Sequence, residues 1–270
     1  MTLPYAEVIG DPIVQSKSPV IHGFWLKALG IEAAYRKTHV TADELATFIA
    51  NRRDDPAWRG CNITVPHKIA ALELVEDRGD VRGTIGAINT IIRADDGVLV
   101  GTNTDAAGFY APLADIDLTG QPVTVVGTGG AARAVLFALS RMATGPVTIL
   151  ARNPLKAAAL LAAFGLKGNA LPIPAAAPPG ALLVNTTTLG MIGQPPLDLD
   201  LGALPADAIV YDIVYAPLET PLLKAARARD LDTIDGLEML VGQAAVAFEL
   251  FFGQAPPRDR DEELRAVLTA

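Results

Sequence analysis

The run Val123-Thr124-Val125-Val126-Gly127-Thr128-Gly129-Gly130-Ala131-Ala132-Arg133-Ala134 constrains the fold more than any other segment. Four β-prone residues stop at a glycine-rich turn, and an alanine-rich helical pattern follows. A strand–turn–helix of this kind offers backbone N–H groups and a helix N-terminus to the pyrophosphate of a dinucleotide. Gly127 suits the tight turn, Gly129 lets backbone approach phosphate, and Ala132 lets the helix pack closely on the strand. A glycine fingerprint alone is a weak signal. This one lies mid-chain, after a half rich in polar residues, and that layout predicts a cofactor domain paired with a substrate domain.

The 270 residues suffice for two modest domains or one large one, and half of them are hydrophobic, enough for a sizeable core. A net charge of −8 opposes general nucleic-acid binding, which needs a basic face. The single Cys61 excludes an internal disulfide and a multi-cysteine metal site, and His22, His39 and His67 lack metal-ligand spacing. No basic stretch leads into an apolar core at the N-terminus, as a signal peptide would require. Residues 168–197 carry no charge, but Pro172, Pro174, Pro178, Pro179, Pro195 and Pro196 exclude a spanning helix. The expectation is a cytoplasmic protein acting on a small molecule, with no nucleic-acid or membrane partner and no metal.

Residues 5–9 read as a strand closed by Gly10-Asp11-Pro12. Pro19 opens a helix over 20–28 that ends at Gly30. Residues 34–40 form a second strand, and Thr41 is placed to cap a helix over 42–52. Residues 61–65 are β-rich, 68–76 carry a helical pattern, and 89–92 with 98–102 predict a hairpin around Asp95-Asp96-Gly97. From Val123 the pattern becomes strand, helix, strand: 147–150 is a strand, 155–164 a helix, and 182–185 and 209–212 are buried strands. That alternation predicts a parallel sheet with right-handed connections. Residues 237–252 form a long apolar helix and 259–268 a short charged one, while 170–181 is a connecting loop. The fold class is therefore α/β, with an N-terminal α/β substrate domain, a Rossmann-like cofactor domain and a cleft between them. The first domain takes 1–102 and, by return of the C-terminal helices, 237–270; the cofactor domain takes 103–236.

Ser16 and Ser18 are two hydroxyls just before a helix N-terminus, placed to flank a polyhydroxylated ligand, although taken alone Ser18 reads better as a plain N-cap. On a strand, Asn62 and Thr64 share one face, and Lys68 follows at the start of the next helix. A lysine there faces the positive dipole end, which favours its neutral form and suits proton transfer; the plainer alternative is a solvated surface lysine. Asn89 and Asp105 sit in Asn/Thr-rich segments that would otherwise read as turns. Asp105 beside Lys68 would orient the amine and favour its charged form. After the strand 147–150 there is no acid to accept from a ribose 2′-hydroxyl; Arg152 and Lys156 stand there instead and suit a 2′-phosphate, hence NADP. Gln243 is polar within an apolar helix, placed either on an exposed face or toward a cleft. Met239 and the Phe248/Phe251/Phe252 group read as core.

Taken together and in order, these blocks resemble the shikimate dehydrogenase family, in its single-function bacterial form. The resemblance runs almost end to end. It rests on Ser16-Lys17-Ser18-Pro19 with Ile21-His22, on the block from Asn62 to Lys68, on Gly86-Ala87-Ile88-Asn89-Thr90 and on Asn103-Thr104-Asp105. It continues through Gly127 to Ala131, Asn185-Thr186-Thr187, Tyr211 to Tyr215 and Asp235 to Ala244. It implies an NADPH-linked, reversible reduction of 3-dehydroshikimate to shikimate. It implies Lys68 and Asp105 as the catalytic pair, and Ser16, Ser18, Asn62, Thr64, Asn89, Asp105, Tyr215 and Gln243 as substrate contacts. For the cofactor it implies Gly127, Thr128, Gly129, Gly130 and Ala131 at the pyrophosphate, and Ala151, Arg152, Asn153 and Lys156 at the 2′-phosphate. Ile213, Gly236 and Met239 fall toward the nicotinamide, with Asp80 a further cofactor-side position. The chain departs from the family pattern with Gly23 where Asn is common, Ala151-Arg152-Asn153 where Asn-Arg-Thr is usual, and Ile213 where some members have Met. The alternatives are a quinate/shikimate dehydrogenase using NAD, which would carry an acid after the second nucleotide strand, and a non-catalytic NADP-binding sensor, which would have no need of both Lys68 and Asp105. A monomer or a homodimer fits equally.

Overall fold

The computed structural model describes residues 3–174 and 176–270. In chain order the elements are β1 (Tyr5–Gly10), α1 (Ser18–Leu29), β2 (Ala34–His39), α2 (Leu45–Arg53), β3 (Trp58–Ile63), α3 (Val81–Thr84), β4 (Thr90–Arg93) and β5 (Leu99–Thr102). Then come α4 (Asp105–Tyr110), β6 (Val123–Val126), α5 (Gly130–Arg141), β7 (Val147–Leu150), α6 (Pro154–Ala163), β8 (Gly168–Leu171) and β9 (Leu182–Asn185). Last are β10 (Ile209–Asp212), α7 (Pro221–Arg227), β11 (Asp232–Ile234), α8 (Gly236–Phe252) and α9 (Asp261–Thr269). They gather into two compact units, Met1–Asp105 with Val241–Ala270, and Ala106–Leu240.

The sheet of the first unit runs β2-β1-β3-β4-β5. Its first three strands are parallel, and β4 and β5 turn back antiparallel as the expected hairpin. The fully buried Glu7 of β1 would be costly as an isolated carboxylate. It accepts from Arg52 Nε at 2.7 Å, from Trp58 Nε1 at 2.8 Å and from the Thr38 hydroxyl. In α1, Pro19 occupies the first turn and Gly30 closes the helix at φ 63°, donating to the Leu26 and Lys27 carbonyls. Lys17 holds the N-cap position, so Ser18 is helical and does not cap; its N–H instead points to the Ser16 hydroxyl at 3.4 Å.

Two expected helices change. Thr41 does not cap α2, which starts at Leu45, because Glu44 captures the N–H of Thr41 at 2.9 Å and its hydroxyl at 2.7 Å within a turn. The pattern at 68–76 yields a tight turn and a 3-10 segment, Ala70–Leu74, in place of an α-helix. Carbonyls that an α-helix would use are taken elsewhere: Lys68 O accepts from Ile88 N at 2.8 Å, and Leu72 O from Arg82 Nη2 at 3.0 Å. Lys68 therefore sits in a turn and does not open an α-helix.

In the second unit all strands are parallel, in the order β11-β10-β9-β6-β7-β8. This is the doubly wound dinucleotide-binding arrangement, with its switch point between β6 and β9. Alternate residues feed opposite faces. Val123, Val125, Leu182, Val184, Ile209 and Tyr211 join one core, while Val126, Leu183 and Val210 join the other. The loop expected over 170–181 loses its first two residues to β8, an edge strand whose exposed residues form no apolar run.

His22, on α1, lies stacked on Tyr35 at 3.9 Å between ring centroids, fully buried, with neither ring nitrogen hydrogen-bonded to any of the described residues. Burial lowers its pKa from 6.5 to about 3. Below pH 6.5 the unfolded chain binds the proton and the folded one does not. Stability therefore falls as pH drops toward 3, by up to about 1.4 kcal/mol per pH unit. The thermal midpoint of the wild type should fall more steeply between pH 7 and pH 4 than that of His22→Phe; parallel curves would contradict this origin.

Candidate functional site

In the first unit the polar residues converge through strand register. Asn62 of β3 pairs with Thr90 of β4, which pairs with Thr102 of β5. Asn62 Nδ2 donates to Thr90 Oγ1 at 3.0 Å, and Thr90 Oγ1 donates to Asn89 Oδ1 at 3.1 Å. Asn89 Nδ2 lies 2.8 Å from Asp105 Oδ1, 2.9 Å from Thr104 Oγ1 and 3.2 Å from Gln243 Oε1. The other Asp105 oxygen receives the Lys68 ammonium in a tight ion pair. One hydrogen-bonded chain thus runs from Asn62 through Asn89 to Lys68 and takes in Gln243 of α8. Asn62 and Asn89 spend their polar atoms on protein partners, so they fix the shape of the site whatever else they touch.

Ser16 and Ser18 lie buried at the start of α1, and Thr64 is half-buried just past β3. Tyr35 is a member that sequence reasoning misses. Its hydroxyl donates to Asn62 Oδ1 at 2.6 Å, which brings β2 into the same network. Burial pushes the Tyr35 phenol well above its usual range, keeping it a neutral donor. Its signal in the sequence is an aromatic hydroxyl on a strand beside β1, too common to mark a site. The turn that carries Lys68 is anchored by the buried His67, whose Nε2 donates to Val40 O at 2.7 Å. With one N–H held by Asp105, the Lys68 ammonium has donors to spare for a ligand oxygen.

The second unit groups the glycine turn with two loops at the C-terminal edge of its sheet. Gly127 has φ 117°, a conformation only glycine adopts readily, and a Cβ there would stand 2.5 Å from Thr186 Oγ1. Thr186 Oγ1 donates to Val126 O at 2.6 Å, which binds the loop after β9 to the glycine turn. A Cβ at Gly129 would meet nothing within 4 Å, so the turn leaves open space at the N-terminus of α5, beside Gly130 and Ala131. Thr128 is half-buried in the same turn. Past β7, Arg152 and Lys156 are exposed, and Asn153 caps α6 by accepting from Lys156 N at 3.2 Å. Ala151 turns its methyl into the core and so presents only backbone. Ile213 and Tyr215 follow β10, half-buried. A Cβ at Gly236 would lie 2.4 Å from Ile213 O, so glycine permits that close approach. Met239 is part of the core. Asp80 belongs to the first unit, exposed beside α3, whereas the other cofactor-side positions lie in the second. No group of metal-ligating side chains occurs among the described residues.

Residues 8–91 match the family profile described as the shikimate dehydrogenase substrate binding domain, and 236–264 match the shikimate 5′-dehydrogenase C-terminal domain. The NADP(+) shikimate dehydrogenase of Sphingopyxis alaskensis is 69% identical over 267 residues, covering 99% of this chain and 97% of that one. The chain belongs to the shikimate dehydrogenase family. Among solved structures, shikimate 5-dehydrogenase from Thermus thermophilus, in complex with NADP(H) and shikimate, superposes with a TM-score of 0.85 at 36% identity. That match covers 98% of this chain and 100% of that one. Quinate dehydrogenase from Corynebacterium glutamicum, in complex with NAD, gives 0.82 at 30% identity, covering 98% and 99%. The family therefore spans cofactor and substrate variants on one fold, and the residues of each site must decide between them.

Gly127→Ala tests the glycine turn. An alanine forced to φ 117° against Thr186 should cost about 1–3 kcal/mol, read as a lowered urea midpoint. A Gly129→Ala change, in open space, should cost far less; equal costs would contradict the geometry.

Proposed function

We propose that the chain catalyses the reversible, NADPH-dependent reduction of 3-dehydroshikimate to shikimate. The observation that carries this reading is the Lys68–Asp105 ion pair, locked by Asn89 into a buried polar network of hydroxyls and amides. Bound NADPH supplies the hydride that reduces the substrate carbonyl carbon. Lys68 delivers the proton to the carbonyl oxygen and recovers it in the reverse direction. Asp105 holds the ammonium in place, and Asn89 holds Asp105. Ser16 and Ser18 receive the substrate carboxylate at the start of α1, where hydroxyl donors and helix N–H groups favour an anion. Asn62, Thr64, Asn89, Asp105, Tyr215 and Gln243 are left for the ring hydroxyls. The first unit serves as substrate domain and the second as NADP-binding domain.

The residues present fit the cofactor. The open glycine turn suits a pyrophosphate, and two exposed bases at the strand end suit a 2′-phosphate better than a bare ribose. The shared chemistry of Arg152, Asn153 and Lys156 favours NADP over NAD. Asp80 is assigned to the cofactor on resemblance alone. The enzyme is expected in the cytoplasm, as a monomer or homodimer.

Shikimate or quinate, each offered with NADP+ or NAD+, should give reduced nicotinamide fastest for shikimate with NADP+; no reduction from shikimate with either cofactor would overturn the assignment. Arg152→Ala should weaken NADP+ binding about tenfold to a hundredfold and spare NAD+. Equal losses for both would remove Arg152 from the phosphate site. Lys68→Ala should lower kcat by about 10²–10⁴-fold with a smaller change in KM for shikimate. Wild-type turnover in that variant would remove Lys68 from proton transfer.

A further inference from the structure

Asp212 ends β10 fully buried, yet among the described residues its bonds are all to neutral donors. Oδ1 accepts from Asn185 Nδ2 at 2.9 Å and from Val214 N at 3.1 Å; Oδ2 accepts from the Thr220 hydroxyl at 2.7 Å. A buried carboxylate with no partner cation is an expensive way to end a strand. Its three acceptor bonds have a common consequence. Val214 opens the loop between β10 and α7, and Thr220 closes it as the N-cap of α7, accepting from Leu223 N at 3.2 Å. One carboxylate therefore clamps both ends of the segment that carries Ile213 and Tyr215.

Asn185, the register partner of Asp212 on β9, extends the clamp. Its Oδ1 accepts from the N–H of Thr187 at 3.0 Å and from its hydroxyl at 2.8 Å, and its Nδ2 donates to Leu189 O at 3.1 Å. Ile192 N donates to Ala216 O at 2.8 Å, tying the two loops together directly. Thr186, next in chain, is the residue that meets the Gly127 turn. The donors all face inward on an acceptor-only group, and only an oxygen at both positions satisfies them without turning the Thr220 hydroxyl round.

We propose that Asp212 is a positioning residue: through Thr220, Val214 and Asn185 it sets the 213–220 loop, and so the placement of Ile213 and Tyr215 on which turnover of shikimate depends. The substrate side of this inference rests on the function proposed above. The loop side does not. Asp212 is assigned no contact with substrate or cofactor; it acts by holding backbone.

Thr220→Val removes one of the three bonds and keeps the side-chain shape, while Thr220→Ser keeps the hydroxyl. Kinetics well below the melting temperature should show Thr220→Val with KM for shikimate raised about tenfold and kcat reduced. The dissociation constant for NADPH, set largely at the Arg152 end, should stay within about threefold. Thr220→Ser should restore the wild-type values, and Asp212→Ala, which removes all three acceptor bonds, should act as Thr220→Val does, more strongly. Hydrogen exchange gives a readout that needs no substrate: amides of 213–220 should exchange faster in Thr220→Val while β6 stays protected. A wild type inactive on shikimate would strike the proposed function and leave this exchange result to judge the clamp. Should Asp212→Ala fail to fold, the Thr220 pair decides alone. Unchanged exchange in 213–220, or kinetics of Thr220→Val within about twofold of wild type in an enzyme active on shikimate, would overturn the proposal.

Discussion

The amide of Asn89, only 2% exposed, is the constraint on which the first site depends. A primary amide has distinct donor and acceptor ends, and a buried end left unpaired costs about 1–3 kcal/mol. Here the acceptor end takes the Thr104 N–H at 2.7 Å and the Thr90 hydroxyl, and the donor end faces Asp105, Thr104 and Gln243. Flipping the amide would oppose donor to donor at Thr104 and acceptor to acceptor at Asp105. The group therefore has one orientation, and that orientation fixes the carboxylate that fixes Lys68. It also accounts for the return of the chain. Gln243 lies 154 positions away in sequence, and only the return of Val241–Ala270 to the first unit brings its Oε1 to the same amide.

The second unit solves a similar problem with a different group. Parallel strands end together at one edge, so every loop there must satisfy its backbone without help from a sheet ladder. Asn185 and Asp212, side by side in register, take that role for two loops, and Thr186 extends it to the glycine turn. In each unit a buried polar side chain at a strand end converts several loops into one rigid surface. Residues proposed to carry function, such as Arg152 and Lys68, can then stay partly exposed, because their backbone is held by others.

What can be read in the sequence follows from burial. The strands β7, β9 and β10 are legible at their observed bounds, because a strand covered on both faces must be a continuous apolar run. The helices α6 and α8 are legible to within a residue or so from their length and helical spacing, with Pro154 and Gly236 at their starts. The edge strands β8 and β11 are not, because exposed residues such as Asn169 and Asp232 carry no pattern. The short helix α7 escapes too, although Thr220-Pro221 is a cap signal by type. At the sites, residue types with obvious chemistry stand out: Lys68, Asp105, Arg152. Residues that act by holding others, Tyr35, His67 and Asp212, do not, since their meaning lies in partners far away in the chain.

The segment 68–76 shows how far local pattern carries. Its residues have helical spacing, and in isolation an α-helix beginning at Lys68 is a fair expectation. Tertiary bonds decide otherwise. His67 is drawn into the core by Val40 O, the Lys68 carbonyl is taken by Ile88 N, and the residues beyond tighten to a 3-10 turn. The bond to the Lys68 carbonyl replaces one that an α-helix would have made, so little hydrogen-bond energy separates the two backbones there. The position of the Lys68 amine does differ between them. Because Ile88 belongs to the strand connection that leads directly into Asn89, the bond to the Lys68 carbonyl and the bond from Asn89 to Asp105 act on adjacent residues. Backbone and side chain thus bring the two members of the ion pair together from one short stretch of chain, a placement that helical propensity alone would not have produced.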